Sequence, residues 1–167
     1  MQKITSFILN KITGLFFLAF FCFSLISLLS KSAEDPYLGS FVKNETINNL
    51  FGLAGSYFAG TIYAFFGYSA YFIPIFFLII GFKKTFGIQV KYILMHFFFY
   101  VLGIIFLSII LNYWFLNGGI FGQLLFEIFN NELNFLLTNK LIFFSLLFCI
   151  HLLTLFLLFF GLTINYK

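Results

Sequence analysis

Long apolar runs without a charged residue constrain this chain more than any other feature of its sequence. The first run covers residues 12–29, which makes 18 residues without an acid or a lysine. As a helix it would extend about 27 Å at ~1.5 Å per residue, close to the roughly 30 Å hydrocarbon core of a bilayer. Across the chain, 62% of residues are hydrophobic and 8% are charged. A soluble domain of this length cannot bury that much apolar surface, so lipid is the expected solvent.

The apolar runs predict an all-α integral membrane protein with four transmembrane helices in a single domain, residues 1–167. We expect spans at about 12–29, 68–82, 92–111 and 141–162, and outer segments at 30–67 and 112–140. A cleaved secretory signal is the competing interpretation of the first run. Residues 30–33 form a poor cleavage site, however, so a retained helix is favoured.

The nine lysines are distributed unequally between the two sides of the predicted spans. Six lie on a side without acids: Lys3, Lys11, Lys83, Lys84, Lys91 and Lys167. The other side holds three lysines and all five acids: Lys31, Lys43, Lys140, Glu34, Asp35, Glu45, Glu127 and Glu132. Because lysine-rich loops stay in the cytoplasm, both termini are predicted to be cytoplasmic, and Lys83, Lys84 and Lys91 are expected to meet anionic headgroups.

The segment after the first polar loop is too long for one straight span. Residues 52–81 would form a helix of about 45 Å at ~1.5 Å per residue. We therefore expect an interfacial or re-entrant helical segment at about 50–66, a break at Gly67 and a kink near Pro74. Small residues recur at every fourth position of this segment: Gly52, Ser56, Gly60 and Ala64. Such a face lets another helix approach closely, either within this bundle or in a second copy of the chain.

Two short glycine patterns echo each other along the sequence. Residues 52–55 and 119–122 each begin and end with glycine, follow a predicted span and a polar turn, and open an apolar segment. This echo predicts two halves of similar construction in parallel orientation, with a second outer helical segment at about 117–139.

His151 is the sharpest candidate for chemistry, because it is a readily ionisable side chain near the middle of a predicted span. We expect a neutral imidazole bonded to a neighbouring helix, since a proton relay would need a second titratable group at the same depth. His96 is expected near the cytoplasmic interface, within reach of headgroups. The two histidines and two cysteines are spread over three predicted spans without ligand spacing. We therefore expect no metal site, no cofactor and no catalytic residue.

At its loops and glycines the chain resembles the amino-terminal four-span membrane domain of FtsK-type bacterial DNA translocases, over about residues 5–165. The resemblance rests on motifs in a fixed order: Asp35-Pro36, Asn48, Gly52, Gly55-Ser56, the Phe-Gly-Tyr-Ser-Ala-Tyr run at 66–71, Pro74, and Gly118, Gly119 and Gly122. The candidate helix-packing and interaction residues are Gly52, Gly55, Ser56, Gly60, Ala64, Gly67, Pro74, Gly118, Gly119 and Gly122, with Asp35, Pro36 and Asn48 as an outer-loop motif.

This resemblance implies a membrane anchor and oligomerisation module of a cell-division DNA translocase, acting in septum assembly and coupled chromosome segregation. It implies the bacterial inner membrane at the division septum, a hexameric homo-oligomer, and contacts with the lipid bilayer and other divisome membrane proteins. The sequence contains no Gly-x-x-x-x-Gly-Lys-[Ser/Thr] phosphate loop, so we expect neither ATPase activity nor direct contact with nucleic acid. The alternative is a small multi-pass transporter or channel subunit, with a polar path built from Ser108, Ser145, His151 and Thr154.

Overall fold

The structure is a computed structural model that describes residues 2–40, 46–88, 90–132 and 140–163. All regular secondary structure in these ranges is helical. In chain order the helices are α1 (Gln2–Leu29), α2 (Gly52–Phe66), a 3-10 helix (Gly67–Phe72), α3 (Ile73–Thr85), α4 (Ile93–Phe115), α5 (Gly119–Glu132) and α6 (Lys140–Thr163). Four stretches in the described ranges are long and apolar enough to cross a membrane: Phe7–Leu29, Gly52–Thr85, Ile93–Phe115 and Ser145–Leu162. The predicted fold class, all-helical with four membrane-spanning stretches, is confirmed.

The second of these stretches is a composite of three helices. It runs for 34 residues and includes α2, which the sequence suggested as a separate outer segment. The break expected at Gly67 is present, because α2 ends there with Gly67 at φ 58° and ψ −136°. Pro74 does not kink a helix as expected. It lies in the first turn of α3, where its missing N–H is not needed. The interfacial or re-entrant position of α2 stays a prediction.

Glycines let the long helices pack as two antiparallel pairs, α1 with α3 and α4 with α6. A β-carbon added to Gly81 of α3 would lie 2.9 Å from the side chain of Leu18 in α1. A β-carbon added to Gly161 of α6 would lie 2.9 Å from the backbone nitrogen of Tyr100 in α4. Helices in lipid associate largely through such close van der Waals contact, which small residues permit.

The chain is built from two halves, α1–α2–α3 and α4–α5–α6, as the glycine echo suggested. In chain order, each half has a short helix between the two members of a long pair. The short helices begin at Gly52 with φ 58° and at Gly119 with φ 64°, a backbone conformation that glycine adopts without strain. Because α3 runs antiparallel to both α1 and α4, the two halves have the same direction.

A small apolar core joins the halves. Phe76 and Ile80 of α3 pack with Tyr100 and Ile104 of α4, and all four side chains are buried. The Tyr100 hydroxyl donates a hydrogen bond of 2.7 Å to the carbonyl oxygen of Phe72 in the 3-10 helix. We call the end of the bundle formed by residues 30–40, 46–51 and 116–118 the loop face. The opposite end, where Lys83 and Lys84 lie, is the lysine face.

Candidate functional site

The predicted outer-loop motif folds onto the end of α1 at the loop face. Asp35 is 3% exposed, and its Oδ1 accepts a 2.7 Å hydrogen bond from the backbone N–H of Asn48. Its Oδ2 is buried without a hydrogen-bond partner in the described part of the chain. The carboxylate therefore holds residues 35 and 48, at the two ends of the loop, together.

Asn49 provides the second link between the loop and α1, and the sequence analysis did not single it out. Its side chain is 4% exposed, and its Nδ2 donates a 2.8 Å hydrogen bond to the carbonyl oxygen of Ser27. Its Oδ1 accepts from the backbone N–H of Phe51 at 3.1 Å. The Ser27 carbonyl belongs to the last turn of a helix and has no partner within that helix, so Asn49 satisfies a group that would otherwise need water. The Asn48 side chain, in contrast, is exposed.

The predicted small-residue face of α2 is covered by the loop of the same chain. The Ser56 hydroxyl donates to the carbonyl oxygen of Pro36, and the Leu38 backbone N–H donates to Thr61 Oγ1 at 3.2 Å. A β-carbon added to Gly60 would lie 2.4 Å from the Tyr37 Cβ. At Ser56 and Gly60, the partner that approaches this face is therefore the chain's own loop.

The other small residues of α2 have different surroundings. A β-carbon on Gly55 would lie 2.0 Å from Asn49 Oδ1, so this glycine leaves room for the Asn49 amide. Gly52 has no atom within 4 Å of the corresponding position. Ala64 lines a cavity of about 220 Å³ at the loop face, together with Lys31 and Tyr63.

The backbones of Gly67 and Gly119 meet where the two halves of the chain join, and we call this contact the glycine junction. A β-carbon on Gly67 would lie 2.2 Å from the carbonyl oxygen of Asn117, and one on Gly119 would lie 2.5 Å from the backbone nitrogen of Gly67. The Tyr68 N–H donates a 3.1 Å hydrogen bond to the same Asn117 carbonyl. Both glycines have positive φ, so their conformation and their close approach exclude a side chain independently.

The other glycines of the 118–122 pattern allow α5 to pack closely against α4. β-carbons on Gly118 and Gly122 would lie 2.2 Å and 2.5 Å from the carbonyl oxygen of Ser108. The side chain of Asn117 donates a 2.8 Å hydrogen bond to the Tyr63 hydroxyl, and Lys31 Nζ lies 4.2 Å from the centre of the Tyr63 ring. The structure thus brings the 118–122 pattern to Gly67, while Gly52 and Gly55 of the first pattern lie apart from it.

The two histidines do not have the surroundings that the sequence suggested. His96 was expected to reach lipid headgroups, and this is wrong: the side chain is 3% exposed and its Nδ1 lies 3.2 Å from the Gly161 carbonyl oxygen. The close approach of α4 and α6 at Gly161 encloses the ring. His151 Nδ1 lies 2.7 Å from the Leu147 carbonyl oxygen, in its own helix rather than a neighbouring one.

At the lysine face, two adjacent lysines donate hydrogen bonds to other helices, and their contact with headgroups stays a prediction. Lys83 Nζ donates to the Leu162 carbonyl oxygen near the end of α6, and Lys84 Nζ donates to Thr13 Oγ1 of α1 at 3.3 Å. A positive charge at the carboxyl end of a helix also complements the helix dipole. These lysines therefore join α3 to one helix on each side, whereas Lys91 is exposed.

The hydroxyl groups proposed for a polar path are bonded within their own helices. The hydroxyls of Ser108, Ser145 and Thr154 each donate to a carbonyl oxygen three or four residues earlier in the same helix, at 2.6–2.8 Å. Within the part of the chain that the structure describes, no three His, Cys, Asp or Glu residues form a group that could hold a metal ion. The contacts described at this site are those of helix packing and hydrogen bonding.

Comparison with known protein families gives one result that covers nearly the whole chain. The family described as the 4TM region of DNA translocase FtsK/SpoIIIE matches residues 7–165. Searches of curated proteins and of solved structures found no match. The four membrane-spanning stretches agree with this family in number. This chain therefore belongs to the 4TM family of FtsK/SpoIIIE DNA translocases, whose region is the membrane part of those proteins and not the ATPase motor.

Proposed function

We propose that this chain anchors a cell-division DNA translocase in the bacterial inner membrane at the division septum, and that it also brings copies of the translocase together. The observation that carries this proposal is the family match over residues 7–165. Because the family's 4TM region is distinct from the motor, we expect no catalytic activity and no direct DNA contact from this chain. Its contribution is to hold other parts in place.

The geometry of the loop face supports an anchoring role. Asp35, Asn49 and the glycine junction fix the loop and both halves of the bundle to one another through buried hydrogen bonds and backbone contact. Such contacts resist sliding of the helices, because a shift would leave buried polar groups without partners. We propose that this face is extracytoplasmic and both termini are cytoplasmic, in agreement with the lysine distribution.

Contact with other divisome membrane proteins is proposed for the loop face as well. Leu38 and Leu50 lie in the loop, beyond the membrane-spanning stretches, and are 69% and 77% exposed. The small-residue face of α2 is a weaker choice, since the chain's own loop covers it at Ser56 and Gly60. We therefore expect partners to contact the exposed leucines of the loop.

A transporter or channel subunit is less well supported. The serine, threonine and histidine side chains that would line a polar path are bonded within their own helices. The space between the helix pairs is apolar. An ion or polar solute would have to lose its hydration there without compensation.

Self-association is tested with the full 167-residue chain in lipid nanodiscs, by native mass spectrometry over a range of protein-to-lipid ratios. We expect assemblies of several copies, with six as the family resemblance implies. Monomers at every ratio would contradict the oligomerisation part of the proposal. In parallel, Leu50→Asp is expected to reduce copurification of other division proteins from crosslinked cells, with Lys91→Asp at the opposite face as the control. Equal copurification in both variants would contradict the proposal that partners contact the loop face.

A further inference from the structure

An apolar cleft of about 330 Å³ lies between the two helix pairs, within the membrane-spanning part of the bundle. Phe20 of α1 and Ile62 of α2 form one side, and Phe76 of α3 lies beside them. Phe97 and Val101 of α4 form the other side. Tyr100 also lines the cleft, but its hydroxyl is bonded to the Phe72 carbonyl oxygen. Its ring, and not its polar end, is therefore available to an occupant.

The cleft is continuous with the surface of the bundle that faces lipid. Phe97 lines it and is 40% exposed. Phe20 of α1 and Val101 of α4, on opposite walls, are half-buried rather than fully enclosed. In a membrane-spanning stretch such exposed apolar side chains contact lipid chains. The mouth of the cleft thus opens directly onto hydrocarbon.

The cleft is stable neither as an empty void nor as a site for ordered water. Protein interiors contain few voids larger than a water molecule, because the atoms that line a void lose their dispersion contacts. An ordered water needs two to four polar partners, and the wall of the cleft is made of apolar side chains. A flexible hydrocarbon chain from the surrounding bilayer satisfies the wall without any hydrogen bond.

We propose that the cleft binds one acyl chain of a membrane phospholipid, which serves as a fixed packing element between the α1/α3 and α4/α6 pairs. The cleft fixes the shape and position of the bound acyl chain and does not select among headgroups. This inference depends on the cavity and its continuity with lipid, and not on the septal role proposed above. Removal of the acyl chain loosens the contact between the two pairs, while each pair keeps its own glycine-mediated packing.

The test uses a variant that fills the cleft from inside. Val101→Phe adds an aromatic ring at its wall, and Leu152→Phe makes a similar change at a position on α6 that is 51% exposed and serves as control. Both proteins and the wild type are purified in maltoside detergent, and the phospholipid that stays bound through gel filtration is quantified by phosphate and fatty-acid analysis. We expect wild type and Leu152→Phe to retain one phospholipid per chain more than Val101→Phe retains.

A second readout is the melting temperature of delipidated protein after addition of palmitoyl-oleoyl phosphatidylglycerol. We expect a rise of several degrees for the wild type and for Leu152→Phe, and little or none for Val101→Phe. Should Val101→Phe not fold, Ile62→Phe fills the cleft from the opposite wall and replaces it in both measurements. Equal lipid retention and equal melting shifts in the wild type, the control and the cleft-filling variant would overturn the proposal.

Discussion

The backbones of Gly67 and Gly119 lie against each other, and neither position has room for a β-carbon. These residues are far apart in the sequence and belong to different halves of the chain. Both have a positive φ at the loop face. Gly67 follows α2, and Gly119 begins α5. The fold of this 4TM region therefore depends on a contact between two backbone segments of the same chain. Because no side chain takes part, repacking of side chains cannot relieve the overlap that a substitution would cause.

Alanine at either position of the glycine junction is expected to destabilise the protein strongly. Gly67→Ala and Gly119→Ala combine the strain of positive φ with overlap against backbone atoms, which we estimate at about 2–5 kcal/mol of unfolding free energy. Gly52→Ala is the matched control, because Gly52 has the same φ of 58° as Gly67 but open space around it. It is expected to lose only about 1–2 kcal/mol. Thermal unfolding in detergent, followed by circular dichroism, compares the three. Equal losses at all three positions would show that the junction contact has no energetic role.

Asn49 is expected to be far more sensitive than its neighbour Asn48. Asn49→Ala removes the hydrogen bond to the Ser27 carbonyl and leaves that buried group without a partner, at about 1–3 kcal/mol. Asn48→Ala removes an exposed side chain and keeps the backbone N–H that Asp35 binds, so a change below about 0.5 kcal/mol is expected. Denaturant unfolding of the two variants in mixed micelles measures the difference. A larger loss of unfolding free energy from Asn48→Ala than from Asn49→Ala would contradict these loop contacts.

Substitution of His96 is expected to cost more stability than substitution of His151, although His151 lies nearer the middle of a predicted span. His96 is buried between α4 and α6, so His96→Leu is expected to break an interhelical contact at about 1–2 kcal/mol. His151 is bonded only to its own helix, and His151→Leu is expected to be neutral within about 0.5 kcal/mol. Melting temperatures of the two variants give the comparison. A severe effect of His151→Leu would restore it as a functional candidate.

The lysine face is expected to depend on Lys83 more than on Lys91. Lys83→Met removes the bond between α3 and the Leu162 carbonyl oxygen, at about 1 kcal/mol for a half-buried site. Lys91→Met removes one positive charge at the same end of the bundle but no described contact, so it controls for the change in charge. Limited proteolysis near the end of α6 measures the effect, with faster cleavage expected for Lys83→Met alone. Identical cleavage rates would contradict the contact.

The fold class was predictable from the sequence because it depends on local composition. The apolar runs determine the number of spans, and the glycine patterns at 52–55 and 119–122 marked the starts of α2 and α5. A break at Gly67 was recognisable because residues 52–81 are too long for one straight span. These signals lie within short windows of the chain and need no knowledge of tertiary contacts.

The contacts that assemble the site could not be predicted in the same way. The sequence does not indicate which of Asn48 and Asn49 faces the end of α1, because that choice depends on the path of the loop. The covering of Gly60 by Tyr37 and the enclosure of His96 at Gly161 both join residues more than 20 positions apart. A small-residue face is equally suitable for a loop, a helix of the same chain or a second copy. Only the tertiary structure distinguishes these possibilities.

The proposed anchoring role is tested most directly by imaging the chain, fused at its carboxyl terminus to a fluorescent protein, in dividing bacterial cells. We expect the wild type and Gly52→Ala to concentrate at the septum. Gly119→Ala should reach the membrane but spread around the cell, because the loop face is no longer held together. A wild-type signal distributed uniformly around the membrane throughout division would contradict septal anchoring by this chain.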